Sequence, residues 1–207
     1  ANPIPAETSL GDLDGSNGFL IRGIAEYDYC GGSVSSAGDV NADKIPDILV
    51  GAFSADPGAH TTAGQAYVIF GRKSNNPFPA TIDPSTLTGV LGFRVASNTD
   101  FDNVGRVVAR AGDINADKVA DFLLTATGAN SGRGYTYVVY GRNTARDGGF
   151  PADVDLANLD GIDGFVIYGT STSYNSGEAA ASAGDFNGDG ISDIIIGAPE
   201  NTVGADD

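Results

Sequence analysis

The stretch GDVNADKIPDILVGA, residues 38–52, decides how this chain folds, because it occurs three times in 207 residues. It returns with small changes as GDINADKVADFLLTA and as GDFNGDGISDIIIGA. The first aspartates of the three copies, Asp39, Asp113 and Asp185, are separated by 74 and then 72 residues. A repeat of this length indicates that the chain consists of successive copies of one structural unit.

Each unit predicts four short strands joined by polar turns. One apolar run precedes the acidic stretch, a second follows it, a third comes after a polar loop, and the fourth begins with Gly-Phe. No segment combines a helical period with capping residues, so we predict an all-β fold. Repeated four-stranded antiparallel units are typical of β-propeller blades. The eleven predicted strands are GFLIRG (18–23), SVSSAG (33–38), DILVGA (47–52), QAYVIFG (65–71), GFRVAS (92–97), RVVARAG (106–112), DFLLTA (121–126), YTYVVYG (135–141), GFVIYG (164–169), AAASAG (179–184) and DIIIGA (193–198).

We therefore expect residues 1–207 to form a single, partial β-propeller domain. Its repeats are predicted at approximately 18–91, 92–163 and 164–207, and the last repeat is truncated. This gives about three four-stranded blades and an incomplete ring, because closing a propeller takes at least about four blades. We expect the remaining blades to come from the same protein or from another copy.

The composition argues against several classes of partner. The formal net charge is −16, so nucleic acid and anionic membranes, which attract Lys and Arg clusters, are poor partners. No apolar run approaches the roughly eighteen residues of a membrane span, so we expect no direct membrane insertion. The single cysteine, Cys30, excludes an intrachain disulfide. The first residues, ANPIPAETS, have no signal-peptide pattern and suggest a mature or trimmed N-terminus.

The acidic stretches predict three calcium sites. Calcium takes six to eight hard oxygen ligands, and alternate residues of a tightly curled loop can direct their oxygens inward. Carboxylates, an amide oxygen and a main-chain carbonyl suit calcium better than zinc, which prefers Cys or His. The predicted ligands, with the carbonyl oxygen at the fourth residue of each set, are Asp39, Asn41, Asp43, Ile45 and Asp47; Asp113, Asn115, Asp117, Val119 and Asp121; and Asp185, Asn187, Asp189, Ile191 and Asp193.

These loops differ from the helix-flanked EF-hand, which carries a bidentate Glu at position twelve. Position twelve here falls inside an apolar strand, so the bidentate ligand is expected at position nine, from Asp47, Asp121 and Asp193. Position six favours glycine for a positive φ, but the first two loops have Lys44 and Lys118 there, at a cost of roughly 1 kcal/mol each. An acidic turn without metal is the alternative for one loop, whereas three copies in phase favour structural calcium.

No catalytic constellation is predicted. His60, the only histidine, lies in the polar loop SADPGAHTTAG without a marked nucleophile or acid, so we expect an exposed loop residue. We expect Cys30 to be a small, buried or half-buried residue beside a turn rather than a nucleophile. Tyr67, Tyr135 and Tyr137, with Tyr140, are expected to pack within the strands rather than form a sugar-stacking platform.

Residues 17–200 resemble the FG-GAP repeats of integrin alpha-chain propellers and their bacterial relatives. The GAP element is Gly197-Ala198-Pro199 in the third copy, and the corresponding tripeptides are GAF (51–53) and TAT (125–127). The FG positions keep the glycine and lose the phenylalanine, as in Cys30-Gly31. The resemblance implies a seven-bladed propeller, calcium in the hairpin between the first two strands of certain blades, and an extracytoplasmic adhesion or recognition role.

These observations predict a calcium-binding adhesion or recognition module that is secreted or displayed at the cell surface. Its propeller loops would bind a protein or glycan ligand, and calcium would stabilise the blade hairpins. One alternative is the propeller part of a secreted, phospholipase- or hydrolase-like enzyme whose catalytic residues lie elsewhere. Another is a structural spacer in a surface protein.

Overall fold

The computed structural model describes residue 7 and residues 9–73, 75–172 and 175–199. Over these residues the regular secondary structure is almost entirely β-strand. The strands are β1 (Leu20–Ile21), β2 (Ser33–Gly38), β3 (Asp47–Ala52), β4 (Gln65–Ile69), β5 (Thr81–Ile82), β6 (Gly92–Ala96), β7 (Val104–Gly112), β8 (Asp121–Ala126), β9 (Tyr135–Val139), β10 (Asp153–Asp155), β11 (Gly164–Tyr168), β12 (Ala179–Gly184) and β13 (Asp193–Gly197).

Among the described residues, helical structure is confined to short turns in the connections. One is an α-helical turn, α2 (Thr144–Asp147), and three are 3₁₀ turns at Leu10–Asp12, Pro84–Thr86 and Leu156–Asn158. The short segment α1 (Ala129–Gly132) contains two left-handed residues, Asn130 and Ser131. The last two 3₁₀ turns occupy equivalent places in successive repeats. Asp83 caps one by accepting a hydrogen bond from the Ser85 N–H, and Asp155 caps the other by accepting from the Ala157 N–H. Such short pieces leave the sheets as the framework.

The sheets have the strand order of propeller blades. The first blade contains β2, β3, β4 and β6 as antiparallel neighbours, and the second contains β7, β8, β9 and β11 in the same order. In the described residues β12 and β13 form an antiparallel pair that begins a third blade. The architecture is that of an incomplete β-propeller. All eleven predicted strands are present, although GFLIRG forms only two residues of strand.

Two further short strands, β5 and β10, were not predicted, and each pairs with the outermost strand of the preceding repeat. β10 belongs to the third-to-fourth-strand connection of the second blade, yet it pairs in parallel with β6 of the first blade. The equivalent β5 pairs in parallel with β1 in the preceding repeat, in the same register. The Arg94 guanidinium reinforces the first pairing, because it donates to both oxygens of Asp153 at 2.5 and 2.7 Å. These three- and two-residue strands link successive blades.

The largest hydrophobic cluster lies between the first two blades. The first blade contributes Leu49, Val68 and Phe93, and the second contributes Phe122 and Leu124, among others. The Phe93 ring is fully buried, with its centroid 6.2 Å from that of Phe122. Burial of one such side chain contributes about 1.5–3 kcal/mol. A smaller cluster joins the second blade to Ala180 and Ile194 of the third.

Close main-chain approach explains one glycine of a GAP position, Gly51, and one glycine of an FG position, Gly105 in Val104-Gly105. A Cβ atom on Gly51 would lie 2.1 Å from the carbonyl oxygen of Gly105 in the next blade. Gly105 has a φ of +86° and its own Cβ would lie 2.3 Å from the Gln65 carbonyl oxygen. A side chain at either position would force the blades apart. These two glycines are therefore packing residues.

The second blade carries two buried threonines that face each other across β8 and β9. Thr125 and Thr136 are paired in register and both are fully buried. The Thr125 Oγ1 accepts a hydrogen bond from the Val107 N–H at 3.1 Å, inside an irregularity between β7 and β8. The Thr136 Oγ1 has no hydrogen-bond partner among the residues that the structure describes. The two hydroxyls therefore differ in their contribution to stability.

We expect Thr136→Val to leave the free energy of unfolding unchanged or to raise it, because valine has the same shape and removes an unpaired buried hydroxyl. The matched control, Thr125→Val, removes the acceptor of the Val107 N–H and should lower stability by about 1 kcal/mol. Thermal or urea denaturation of both variants checks this. Equal destabilisation by the two substitutions would contradict it.

Candidate metal-binding loops

The three acidic loops occupy the same place in three blades. The first loop (39–47) joins β2 to β3, the second (113–121) joins β7 to β8, and the third (185–193) joins β12 to β13. In each hairpin the glycine before the loop pairs with the aspartate that ends it, as Gly38 does with Asp47, and the register shifts just before this pair. The repeat therefore gives three loops of one geometry.

The carboxylates at loop positions one and five organise the turn. Asp39 accepts from the Asp43 N–H at 3.0 Å through Oδ1 and from the Lys44 N–H at 2.8 Å through Oδ2. Asp43 in turn accepts from the Ile45 N–H at 2.8 Å. The Asn41 side-chain oxygen also accepts from the Asp43 N–H. The second and third loops repeat this set of hydrogen bonds with their own residues.

The aspartate at position nine connects the loop to the third strand of its blade. Asp47 is fully buried, and its Oδ2 accepts from the Val40 N–H while its Oδ1 accepts from the Gly71 N–H, both at 2.8 Å. Asp121 is buried in the same way, between the N–H groups of Ile114 and Gly141. In the third loop Asp193 is half-buried and accepts from the Phe186 N–H at 2.7 Å.

Burial raises the pKa of Asp47 and of Asp121 to about 6 in each case, because the charged form loses its water. The two main-chain hydrogen bonds lower each pKa, and the neighbouring carboxylates at positions one and five raise it. None of the ion pairs among the described residues includes a loop carboxylate. Two buried carboxylates thus face further negative charge without a cationic side chain.

The loop main chain requires left-handed conformations at positions four and six. In the first loop Ala42 has a φ of +60° and Lys44 one of +72°. The second loop has the same conformations at Ala116 and Lys118, whereas the third has Gly188 and Gly190. A non-glycine residue in this region costs about 1 kcal/mol. The expected strain at position six is present, and the strain at position four was missed.

The donor chemistry of each loop suits a hard divalent cation, since every candidate ligand is a carboxylate, amide or carbonyl oxygen. The described residues contain no preassembled group of three or more His, Cys, Asp or Glu side chains that could hold a metal ion. The loop carboxylates instead accept main-chain N–H groups. Each carboxylate oxygen has a second lone pair, so these hydrogen bonds leave acceptor capacity for a cation.

The other singled-out residues lie outside these loops. The side chain of His60 is partly exposed, and its Nδ1 lies 3.2 Å from Asp100 Oδ1. Cys30 is half-buried, and burial, with a smaller contribution from Asp28, raises the pKa of its thiol. Tyr137 is buried in the cluster between the first two blades, and Tyr67 is buried in a separate cluster of the first blade with Val50 and Ile69, as predicted. The tyrosines therefore pack in the sheets, and His60 makes a loop contact.

The hydrogen bond between the loop aspartate at position nine and the glycine after the third strand could have been predicted from the sequence. Gly71 and Gly141 both end the third-strand motifs, in FG and YG dipeptides, and their N–H groups bind the carboxylates of Asp47 and Asp121. A glycine repeated at the end of an apolar strand indicates a close approach. A Cβ on Gly71 would lie 2.4 Å from the Pro46 carbonyl oxygen.

Comparison with known proteins agrees with this geometry. Residues 176–207 match the FG-GAP repeat family. The chain is 31% identical over 175 residues to integrin alpha pat-2 of Caenorhabditis elegans and 29% identical over 178 residues to integrin alpha pat-2 of Caenorhabditis briggsae. Each match covers 82% of this chain and 13% of the relative, so the chain spans a small part of the length of these integrins.

Within the described part of the chain, no helix is both long and apolar enough to cross a bilayer. The repeated hairpins, the blade order of the sheets and the similarity over most of the chain agree with one another. The chain is an FG-GAP repeat protein that resembles integrin alpha chains.

Proposed function

We propose that this chain is an extracellular recognition module whose blade hairpins each bind one calcium ion. The ligands of the three ions are the carboxylate, amide and carbonyl oxygens at loop positions one, three, five, seven and nine. A protein or glycan would bind to other loops of the propeller. Calcium in this proposal stabilises the fold and takes no part in a reaction.

The observation that carries the proposal is the position of Asp47 and Asp121. Both carboxylates are fully buried, and carboxylates at positions one and five raise the pKa of each. A buried negative charge that has no cationic partner is costly, even where main-chain N–H groups donate to it. A divalent cation among these oxygens would remove that cost, which supports a metal in the loop rather than an acidic turn alone.

Calcium is preferred over other cations because of the ligand types. The loops contain no histidine or cysteine, which argues against zinc and copper. Calcium accepts flexible oxygen coordination, whereas magnesium requires near-ideal octahedral geometry and retains water. Extracellular calcium is about millimolar, so even weak sites would be filled there. This supports a location outside the cytosol.

The loops at the opposite ends of the strands are the proposed ligand-binding part. There the connection before β7 contacts the connection between β3 and β4: the N–H of Phe101 donates to the Thr61 carbonyl, and that of Asn103 to the Thr62 carbonyl. Such bonds position neighbouring loops relative to each other. The exposed side chain of Phe101, with its φ of +63°, lies on this surface.

Calcium is expected to raise the melting temperature of the 207-residue chain strongly. A site filled at 100 times its Kd adds about 2.7 kcal/mol to the free energy of unfolding. Three such sites would raise Tm by about 15–30 °C in a domain of this size. Differential scanning calorimetry of metal-free protein with and without millimolar calcium measures this. Identical melting curves in the two conditions would refute the proposal.

Asp43→Asn should have opposite effects with and without calcium. In metal-free protein it removes one of the charges that repel Asp47, so stability should stay unchanged or rise by a fraction of about 1 kcal/mol. In calcium it removes a charged ligand and should abolish about one third of the calcium-induced stabilisation. Asp160→Asn is the control, because among the described residues this carboxylate accepts only from the nearby Ile162 N–H. The same effect in both conditions would be inconsistent with a metal ligand.

The pH dependence of stability should also reverse on calcium binding. The folded-state pKa of Asp47 and Asp121, about 6, lies above the value of about 3.9 for unfolded Asp. Protonation therefore favours the folded metal-free protein: this stabilisation, on the order of 3 kcal/mol per group, is complete below pH 4 and is lost as the pH rises through 6. In calcium, protons compete with the metal, so Tm should fall from pH 7 to pH 5. Melting curves recorded from pH 5 to pH 7, with and without calcium, test this expectation. A Tm that changes with pH in the same direction in both conditions would contradict it.

A further inference from the structure

The first loop is held by the second blade as well as by its own. Three successive carbonyl oxygens of this loop, those of Asp39, Val40 and Asn41, accept hydrogen bonds from residues of the next repeat. We call the donors, Ala120, Arg142 and Thr144, the interblade clasp. Ala120 belongs to the second loop, and the other two follow β9.

The three residues of the clasp donate four hydrogen bonds to the first loop. The N–H groups of Ala120, Arg142 and Thr144 donate to the carbonyls of Asp39, Val40 and Asn41 at 3.2, 2.9 and 3.2 Å. The Thr144 hydroxyl donates a second bond to the Asn41 carbonyl at 3.1 Å. Thr144 is the first residue of α2, and its neighbour Asn143 caps that turn by accepting from the Arg146 N–H. The Thr144 position is thus fixed by its own blade.

One bond of the clasp recurs at the next interface. The Ser192 N–H donates to the Asp113 carbonyl at 3.1 Å, as Ala120 does to Asp39 one repeat earlier. Ser192 has a hydroxyl that Ala120 lacks, and this Oγ accepts from the Asp113 N–H at 3.3 Å. The first and second loops therefore each contact the following loop, through position one of the earlier loop and position eight of the later loop.

Coverage by the next blade differs among the three loops. Asn41 is buried, whereas Asn115 and Asn187 at the same position are exposed. The first loop has left-handed non-glycine residues at positions four and six, Ala42 and Lys44, as the second loop does, whereas the third loop has glycines there. External hydrogen bonds hold the strained first loop in the folded conformation before any ligand binds. Such preorganisation lowers the cost of binding.

We infer that Thr144 of the second blade is a positioning residue for the calcium site in the first blade, so that the affinity of this site depends on blade docking. The inference rests on the proposed calcium function. The hydroxyl acts through the Asn41 main chain, whose side chain is a proposed ligand. By linkage, calcium in the first loop would in turn stabilise the interface between the first two blades.

Thr144→Val tests the inference, in the full 207-residue chain. Calcium is titrated into metal-free, ¹⁵N-labelled protein, and the amide resonances of Lys44, Lys118 and Gly190 report the three loops separately. We expect the midpoint at Lys44 to rise about fivefold, the effect of one lost hydrogen bond, with the other two unchanged. Thr144→Ser, which keeps the hydroxyl, should restore the midpoint to within about twofold of the unmodified chain.

Two further variants control the result. Thr86→Val removes a hydroxyl that donates to the Asp83 carbonyl at 2.8 Å in the first blade, without loop contact, and should change no midpoint. Ser192→Ala removes the hydroxyl that accepts from the Asp113 N–H, and it should raise the calcium midpoint at Lys118 but not at Lys44. Alanine is the natural residue at this position in the second loop, so Ser192→Ala should fold. If Thr144→Val does not fold, Ser192→Ala still tests whether the affinity of a loop depends on a contact from the next blade.

The outcomes separate the inference from the proposed function. If calcium at millimolar concentration moves none of the three amides in the unmodified chain, the calcium function itself fails. If all three respond but Thr144→Val leaves Lys44 unchanged, or shifts all three midpoints alike, calcium binding stands and the positioning role of Thr144 is wrong. Recovery in Thr144→Ser together with a selective shift at Lys44 supports the inference.

Discussion

The buried carboxylate at position nine of the first two acidic hairpins is the interaction on which their blades depend. Asp47 binds the Val40 N–H of its own loop and the Gly71 N–H at the end of the third strand, so one side chain ties three strands of a blade together. Burying a carboxylate close to other carboxylates lowers the stability of its charged form. The group that organises the blade therefore carries an uncompensated negative charge, which a bound cation would neutralise.

Packing between blades is the second constraint, because a single four-stranded sheet cannot bury both its faces alone. The rings of Phe93 and Phe122 meet across the first interface, and Gly51 and Gly105 allow the main chains to approach there. Stability in such arrays comes from each unit and from its contacts with neighbours. The short parallel strands β5 and β10 add an outer connection between the same units.

Loops and interfaces are coupled in this arrangement. The clasp residues Ala120, Arg142 and Thr144 lie in the second blade, yet their donors reach the main chain of the first loop. A ring of such blades would fix its connecting loops firmly, which suits a surface that recognises a partner rather than one that changes shape. This arrangement agrees with the similarity of the chain to integrin alpha chains.

The sequence by itself determined the repeat, the all-β fold, the positions of eleven strands and the three acidic loops, because these follow from local periodicity and spacing. Positive φ at Lys44 and Lys118 was also predictable, since loop position six requires it. Only the tertiary structure decided that β10 joins the sheet of the preceding blade, that Thr144 contacts Asn41, and that Asp47 is buried while Asp193 is half-exposed. These features join residues up to about a hundred positions apart, and burial depends on which blade lies alongside, so no local pattern encodes them.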